Sequence, residues 1–243
     1  SYDGITAYVE TSIDARLLSP VDLMVTVSEK DGKRVVKWTP SFRFIDTATV
    51  TPDPETQALV DSLQKGLDDT LNVAIGTTTT PLDSRRNVVR AEESTMGNLI
   101  ADAMRLQSGA DVALMNGGGI RADRTYDAGA TLTRRDILTE LPFGNTLAVV
   151  EITGAQLREA LENAVSQVEK GAGRFAQVSG LTLVYDPKAE AGARVTEVLV
   201  AGAALDPAKT YKVAVNDYML GGGDGYKMLK GAKQVVTDGT GAL

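Results

Sequence analysis

Histidine is absent from all 243 residues. Its absence excludes imidazole general bases, Ser-His-Asp triads and every imidazole metal ligand. Cysteine is absent too, which excludes disulfides, thiolate metal sites and a cysteine nucleophile. Aromatic residues are scarce, at 5 %. No apolar run is long enough to span a membrane, and neither a GxxxxGK[ST] phosphate loop nor a calcium-loop pattern occurs. A net charge of −7 argues against a general nucleic-acid binder, which needs a basic footprint. A site of carboxylates and carbonyls for calcium or magnesium stays open. The chain starts at Ser1 without a basic, apolar leader, so it is read as a mature or trimmed piece.

Hydrophobic residues make up 43 % and charged residues 23 %, enough for a sizeable core in one large domain, or one domain plus an extension. Residues 1–50 read as extended structure, with "VDLMVTV" and "RVVKW" flanking the turn signal Asp31-Gly32. A helix starts near Asp53-Pro54 and places Leu59, Val60, Leu63 and Leu67 on one face. "LNVAIGTTTT" reads as a strand and 81–94 as a polar segment with Arg85, Arg86 and Arg90. Helical spacing recurs over 94–107, with a stripe of Met96, Leu99, Ile100 and Ala103. "ADVALM" reads as a buried strand, and 133–141 as a short helix with a Thr133–Asp136 capping box. "TLAVVEI" is a strand. The helix over 153–168 has a Thr153–Gln156 box and a stripe of Leu157, Ala160, Leu161, Ala164, Val165 and Val168. "VSGLTLVYD", "RVTEVLVAG" and "TYKVAVND" read as three strands, the last two close enough for a hairpin. The expected fold class is therefore α/β (mixed α+β): an extended piece over 1–50, a linking helix over 51–71, and a mixed sheet with packed helices over 72–243.

Two glycine clusters sit where strands end: Gly117 to Gly119, and Gly221 to Gly223 with Gly225. Glycine permits positive φ and lets a ligand approach main-chain N–H groups. The runs are either tight turns packed on their neighbours or the floor of a binding loop. Polar neighbours favour the second: Asn116 and Arg121 flank the first run, and Asp224 is embedded in the second. Arginine suits carboxylate or phosphate oxygens, whereas Asp suits sugar hydroxyls or a base N–H. Phe143, in "LPFGNT", and Tyr218 are loop aromatics without a stripe to join. Two such rings can cover one turn each or sandwich a planar base.

"RAEESTMGNLIADAM", "MNGGGIR", "LPFGNTL", "GRFAQVSGL" and "GGGDGY" occur in order over about residues 85–230. Together they resemble the C-terminal domain of the 5′-nucleotidase and UDP-sugar hydrolase family. The resemblance implies a 5′-nucleotidase C-terminal-domain-like fold, a substrate-recognition domain for nucleosides, nucleotides or nucleotide sugars. It implies that residues 1–50 are the tail of an N-terminal metallophosphatase domain of the same polypeptide, where two divalent metal ions and a catalytic histidine reside. With no histidine here, hydrolysis is not expected of this chain alone, and no catalytic residue or cofactor is assigned to it. Carried over by position, Phe143 and Tyr218 stack on the base. Arg90, Asn116 and Arg121 face the ribose and phosphate, with Gly118 in the floor between them. Asp224 accepts from the ribose hydroxyls, and Asn145 meets the base edge. Arg86 would be a second phosphate contact, and Gly173-Arg174-Phe175 a support. An extracytoplasmic setting follows from the same resemblance. A 2′,3′-cyclic-nucleotide relative and a stand-alone nucleotide-binding module remain alternatives.

Overall fold

The structure is a computed structural model that describes residues 15–242, and the side chains up to 235. It divides into two compact units, Ser1–Gly66 and Leu67–Leu243. In the first, β1 (Leu17–Leu18), β2 (Val21–Lys30), β3 (Lys33–Phe42) and β4 (Ile45–Asp46) form two antiparallel pairs, β1 with β4 and β2 with β3. The β2–β3 ribbon turns at Asp31 (φ 53°) and Gly32 (φ 69°), the left-handed pair that a tight hairpin requires. Val21, Leu23, Met24, Val25 and Val27 are all exposed along it. Helix α1 (Pro54–Leu71) begins where the Asp53 carboxylate accepts from the Thr56 amide at 2.9 Å. Its stripe is amphipathic as spaced, yet no α1 residue is buried.

The second unit continues with β5 (Ala74–Thr77), β6 (Leu82–Asp83), α2 (Arg86–Val89), α3 (Thr95–Ser108) and β7 (Val112–Asn116). Next come β8 (Thr125–Tyr126), β9 (Thr131–Thr133), α4 (Arg134–Glu140), β10 (Thr146–Thr153) and α5 (Gly154–Val165). It ends with β11 (Ala176–Ser179), β12 (Leu181–Tyr185), β13 (Val195–Val200), β14 (Ala203–Ala204), β15 (Thr210–Asn216), α6 (Asp217–Leu220) and β16 (Lys233–Ala242). A five-stranded sheet has the order β11-β7-β15-β10-β16, with β7 and β15 parallel and the other pairs antiparallel. Both of its faces are covered, and side-chain alternation sorts its residues between two cores. Val112, Leu114, Val150, Ile152, Val213 and Val215 pack with Leu157, Leu161 and Val165 of α5. Ala113, Met115, Val149 and Ala214 pack with Met96, Ile100 and Met104 of α3. Both expected capping boxes form, Thr133–Asp136 on α4 and Thr153–Gln156 on α5.

Several features depart from the sequence expectations. The buried face of α3 is Met96, Gly97, Ile100, Ala101 and Met104, while Leu99 and Ala103 face out. The helix is rotated because Gly97 has to meet β11: a Cβ there would stand 2.4 Å from the Gln177 side chain. "VSGLTLVYD" is two strands in two sheets. It breaks at Gly180 (φ 79°), where a Cβ would come within 2.3 Å of the Asp111 carbonyl oxygen. The expected hairpin of the last two strands does not form. Instead β13 turns through Ala201 (φ 49°) and Gly202 (φ 81°) into β14, and β15 enters the five-stranded sheet between β7 and β10. There Val213, Ala214 and Val215 are buried on both faces, which an outlying hairpin strand would leave half exposed. Strand β16, with no helical or strand expectation, pairs antiparallel with β10 at the sheet edge. Finally, the polar segment 81–94 contributes Leu82, Val88, Val89 and Arg90 to the interior.

Candidate functional site

Because β7 and β15 are parallel neighbours, their carboxyl ends emerge together, at Asn116 and Asn216. Such strand ends are where α/β sheets place ligands. Asn216 is fully buried. Its Oδ1 caps α6 by accepting from the Met219 amide at 2.8 Å, and its Nδ2 donates to Asn116 Oδ1 at 2.8 Å. Asn116 Nδ2 in turn donates to Asp224 Oδ2 at 2.7 Å, and the Tyr218 hydroxyl donates to Asp224 Oδ1 at 3.2 Å. A hydrogen-bonded chain thus runs from the sheet interior to an exposed ring and holds the Asp224 carboxylate in one orientation.

The glycines serve two different ends. Gly117 to Gly119 form a 3-10 turn in which none adopts positive φ, so the conformational argument does not apply to them. Their cause is steric. A Cβ on Gly117 would lie 2.0 Å from the Val89 carbonyl oxygen, and one on Gly118 would lie 2.9 Å from Gly173 Cα. The turn is anchored by Gly117 N–H to Phe175 O at 2.7 Å and Gly118 N–H to Gly173 O at 2.8 Å. In the second run Gly222 (φ 88°), Asp224 (φ 51°) and Gly225 (φ 86°) are left-handed. Gly223 instead lies beneath the Tyr218 ring, whose atoms would stand 2.5 Å from a Cβ there.

Two arginines supply positive charge. Arg90 ends α2, is buried, and its Nε has no hydrogen-bond partner among the described residues. Burial, then the nearby charges of Arg86 and Arg121, holds its guanidinium below the usual arginine range. Such a group gains from an incoming anion. Arg121 lies with its guanidinium 5.5 Å from the centroid of the Phe143 ring. Phe143 and Tyr218 are 58 % and 48 % exposed, so both offer ring surface to a ligand.

All eight expected residues, Arg90, Asn116, Gly118, Arg121, Phe143, Asn145, Tyr218 and Asp224, line one cavity of about 450 Å³, together with Gly119 and Gly173. Arg86 does not line it. It borders a separate opening with Asn87, Asp123, Lys170 and Gly171. Gly173 is both support and lining, while Arg174 and Phe175 lie behind: Arg174 O accepts from the buried Tyr226 hydroxyl at 2.6 Å. Sequence reasoning missed Asn216, whose one signal was a polar residue closing an apolar strand. It also missed Asn163, whose Nδ2 donates to Asp224 O at 3.2 Å. The cavity does not fit a divalent ion. Asp224 is its single carboxylate, it shares the lining with two guanidiniums, and its oxygens already accept from Asn116 and Tyr218.

Behind the cavity lies Glu140, fully buried at the end of α4. It accepts from the Tyr126 hydroxyl at 2.9 Å and from the Ala122 amide at 3.4 Å. Burial raises its carboxyl above the ordinary range, and hydrogen bonds from Ser84, Tyr126 and Ala122 oppose this without cancelling it. A folded-state pKa above the unfolded value contributes stability below the unfolded pKa and loses it as pH rises through the folded one. Glu140→Gln is therefore expected to gain stability relative to the parent between pH 4 and pH 8. Urea denaturation at both pH values checks this, and an unchanged difference would contradict the raised carboxyl.

Residues 74–231 match the family model for the 5′-nucleotidase C-terminal domain. The chain is 40 % identical over 185 residues to the trifunctional nucleotide phosphoesterase protein YfkN of Bacillus subtilis, covering 72 % of this chain and 12 % of that protein. It is 32 % identical over 222 residues to protein UshA of Escherichia coli, covering 91 % of this chain and 38 % of UshA. The crystal structure of a 5′-nucleotidase precursor from Thermus thermophilus superposes with a TM-score of 0.68 at 35 % identity, over 88 % of this chain and 43 % of that one. The chain thus spans less than half the length of each of these relatives. With the family model matched across four of the five strands of the sheet, the buried residues of both cores and every cavity-lining residue, the chain belongs to the 5′-nucleotidase C-terminal domain family.

Proposed function

We propose that this cavity is the substrate-recognition site of a nucleotide phosphoesterase and holds a nucleoside or nucleoside 5′-phosphate. One observation carries the proposal: two exposed rings, one oriented carboxylate and two guanidiniums line a single cavity at the strand ends. In the proposed mode the base lies between Phe143 and Tyr218, with Asn145 at its edge. Asp224 accepts from the ribose hydroxyls, Asn116 donates beside it, and Arg90 and Arg121 meet the phosphate. On the same proposal the two divalent metal ions and the bond-breaking residues belong to a metallophosphatase domain of the same polypeptide. The lack of histidine, the length of the relatives, and the exposed apolar β2–β3 ribbon support this division. A two-stranded ribbon is marginal alone and calls for a covering partner. An extracytoplasmic setting is part of the proposal. Among the described residues no helix is long and apolar enough to cross a membrane.

Calorimetry with adenosine and AMP is the test. Stacking contributes about 1–3 kcal/mol per base, so Phe143→Ala and Tyr218→Ala should each weaken adenosine roughly tenfold or more. Unchanged affinity in both variants would sink the sandwich. A phosphate-release assay should find this chain inactive by itself, and turnover would overturn the division of labour. The family resemblance leaves a second reading, in which the ligand is a 2′,3′-cyclic nucleotide. Tighter binding of 2′,3′-cyclic AMP than of AMP would favour it, and binding of either without phosphoesterase activity in any longer form of the polypeptide would favour a stand-alone binding module.

A further inference from the structure

We infer that Glu140, which does not line the cavity, positions Arg121 and so sets how strongly the cavity prefers a phosphorylated over an unphosphorylated nucleoside. The inference rests on the binding proposed above. Glu140 is fully buried and makes no ion pair among the described residues. Arg124, whose charge acts on the Glu140 carboxyl, lies 3.6 Å from Asp136 and 4.4 Å from the centroid of the Tyr126 ring. Were stability the reason for the residue, an apolar pair in place of Glu140 and Tyr126 would serve better, because it would desolvate no carboxyl or hydroxyl group. What the residue adds is contact with the main chain beside the cavity. Its carbonyl oxygen accepts from the Arg121 amide at 2.9 Å, and its carboxylate accepts from the next amide, Ala122, at 3.4 Å. Three residues further on, Phe143 carries the ring over which the Arg121 guanidinium sits at 5.5 Å. Both members of that contact therefore hang from the end of α4, and Glu140 fixes one relative to the other. The far end of the segment is held separately, by Asp123 accepting from the Arg86 amide at 2.8 Å and by Arg124 O accepting from the Ser84 amide at 2.8 Å. Replacing the Glu140 side chain leaves the main-chain bond from the Arg121 amide and frees the Ala122 amide next to it, so the slack falls at the Arg121 end.

The experiment compares Glu140→Leu, Glu140→Gln, Arg121→Ala and the double variants by calorimetry with adenosine and AMP. A charge-assisted contact contributes about a tenfold preference. Glu140→Leu should lower the AMP-to-adenosine preference about tenfold, Glu140→Gln should fall between it and the parent, and neither should lower it further once Arg121 is alanine. Additive effects, or parallel weakening of both ligands, would overturn the inference. If Glu140→Leu does not fold, Glu140→Gln carries the comparison. If the parent binds neither ligand, the binding proposal fails, and the inference is decided without a ligand. The Arg121 Nε–H NMR signal, shifted by the Phe143 ring and assigned with Arg121→Lys, should move in the Glu140 variant towards its position in Phe143→Leu. An unmoved signal refutes the positioning role.

Discussion

Gly117→Ala is expected to destabilise the second unit by about 3 kcal/mol, the upper end for overpacking, and to lower its melting temperature by roughly 6–12 °C. The added methyl would stand 2.0 Å from Val89 O, 2.9 Å from Val89 C and 3.2 Å from Phe175 O. All three are backbone atoms, so no side-chain rotation relieves the clash. The strand before Gly117 is buried on both faces and resists displacement. The yielding part should be α2, which carries Arg90 at its end, so nucleotide affinity should fall together with stability. Gly66→Ala is the control. It lies in α1 with nothing within 4 Å, and alanine is the better helix former. Thermal denaturation followed by circular dichroism measures both. A Gly117→Ala protein melting with the parent would mean that the turn is loose.

Replacing Asp224 should give the largest loss of ligand affinity. In the proposed mode its carboxylate accepts from ribose hydroxyls, and bonds to a charged acceptor contribute about 1.5–3 kcal/mol each. Backbone geometry decides which variants are informative. Asp224 is left-handed at φ 51°, a conformation that alanine disfavours and that glycine and asparagine tolerate. Asp224→Gly should therefore keep the loop and weaken adenosine roughly a hundredfold. Asp224→Asn keeps one acceptor oxygen, and about a tenfold loss is expected. AMP should suffer less than adenosine in both, because the negative charge of Asp224 acts on Arg90 and its removal leaves the cavity more positive for the phosphate. Equal losses for the two ligands would place Asp224 away from the sugar, and no loss for either would remove it from the site.

Much of this was legible in the chain. The periodicity of α5, both capping boxes and the Asp31-Gly32 turn depend on neighbours within a few residues, and each stands where the local pattern put it. The eight residues marked by their motifs share one cavity. Contacts distant in sequence were not legible. The rotation of α3 is set by Gly97 against Gln177, the break at Gly180 by Asp111, and the placement of β15 by strands about 60 to 100 residues upstream. Asn216 gave only the signal of a polar residue closing an apolar strand, and Glu140 gave none, because their partners, Asn116 and the Arg121 segment, lie outside the local pattern.

By itself the sequence determined the capped helices α4 and α5, the cavity's chemical inventory and the absence of any histidine, since these follow from residue identity and near-neighbour spacing. Tertiary structure alone decided that the glycines of the first run are there for space rather than for left-handed φ. It also decided that a chain of asparagines orients Asp224, and that Arg90 is buried with a donor unspent. Each of these is a matter of which atoms stand within about 3 Å across the sheet, a distance that spacing along the chain does not record.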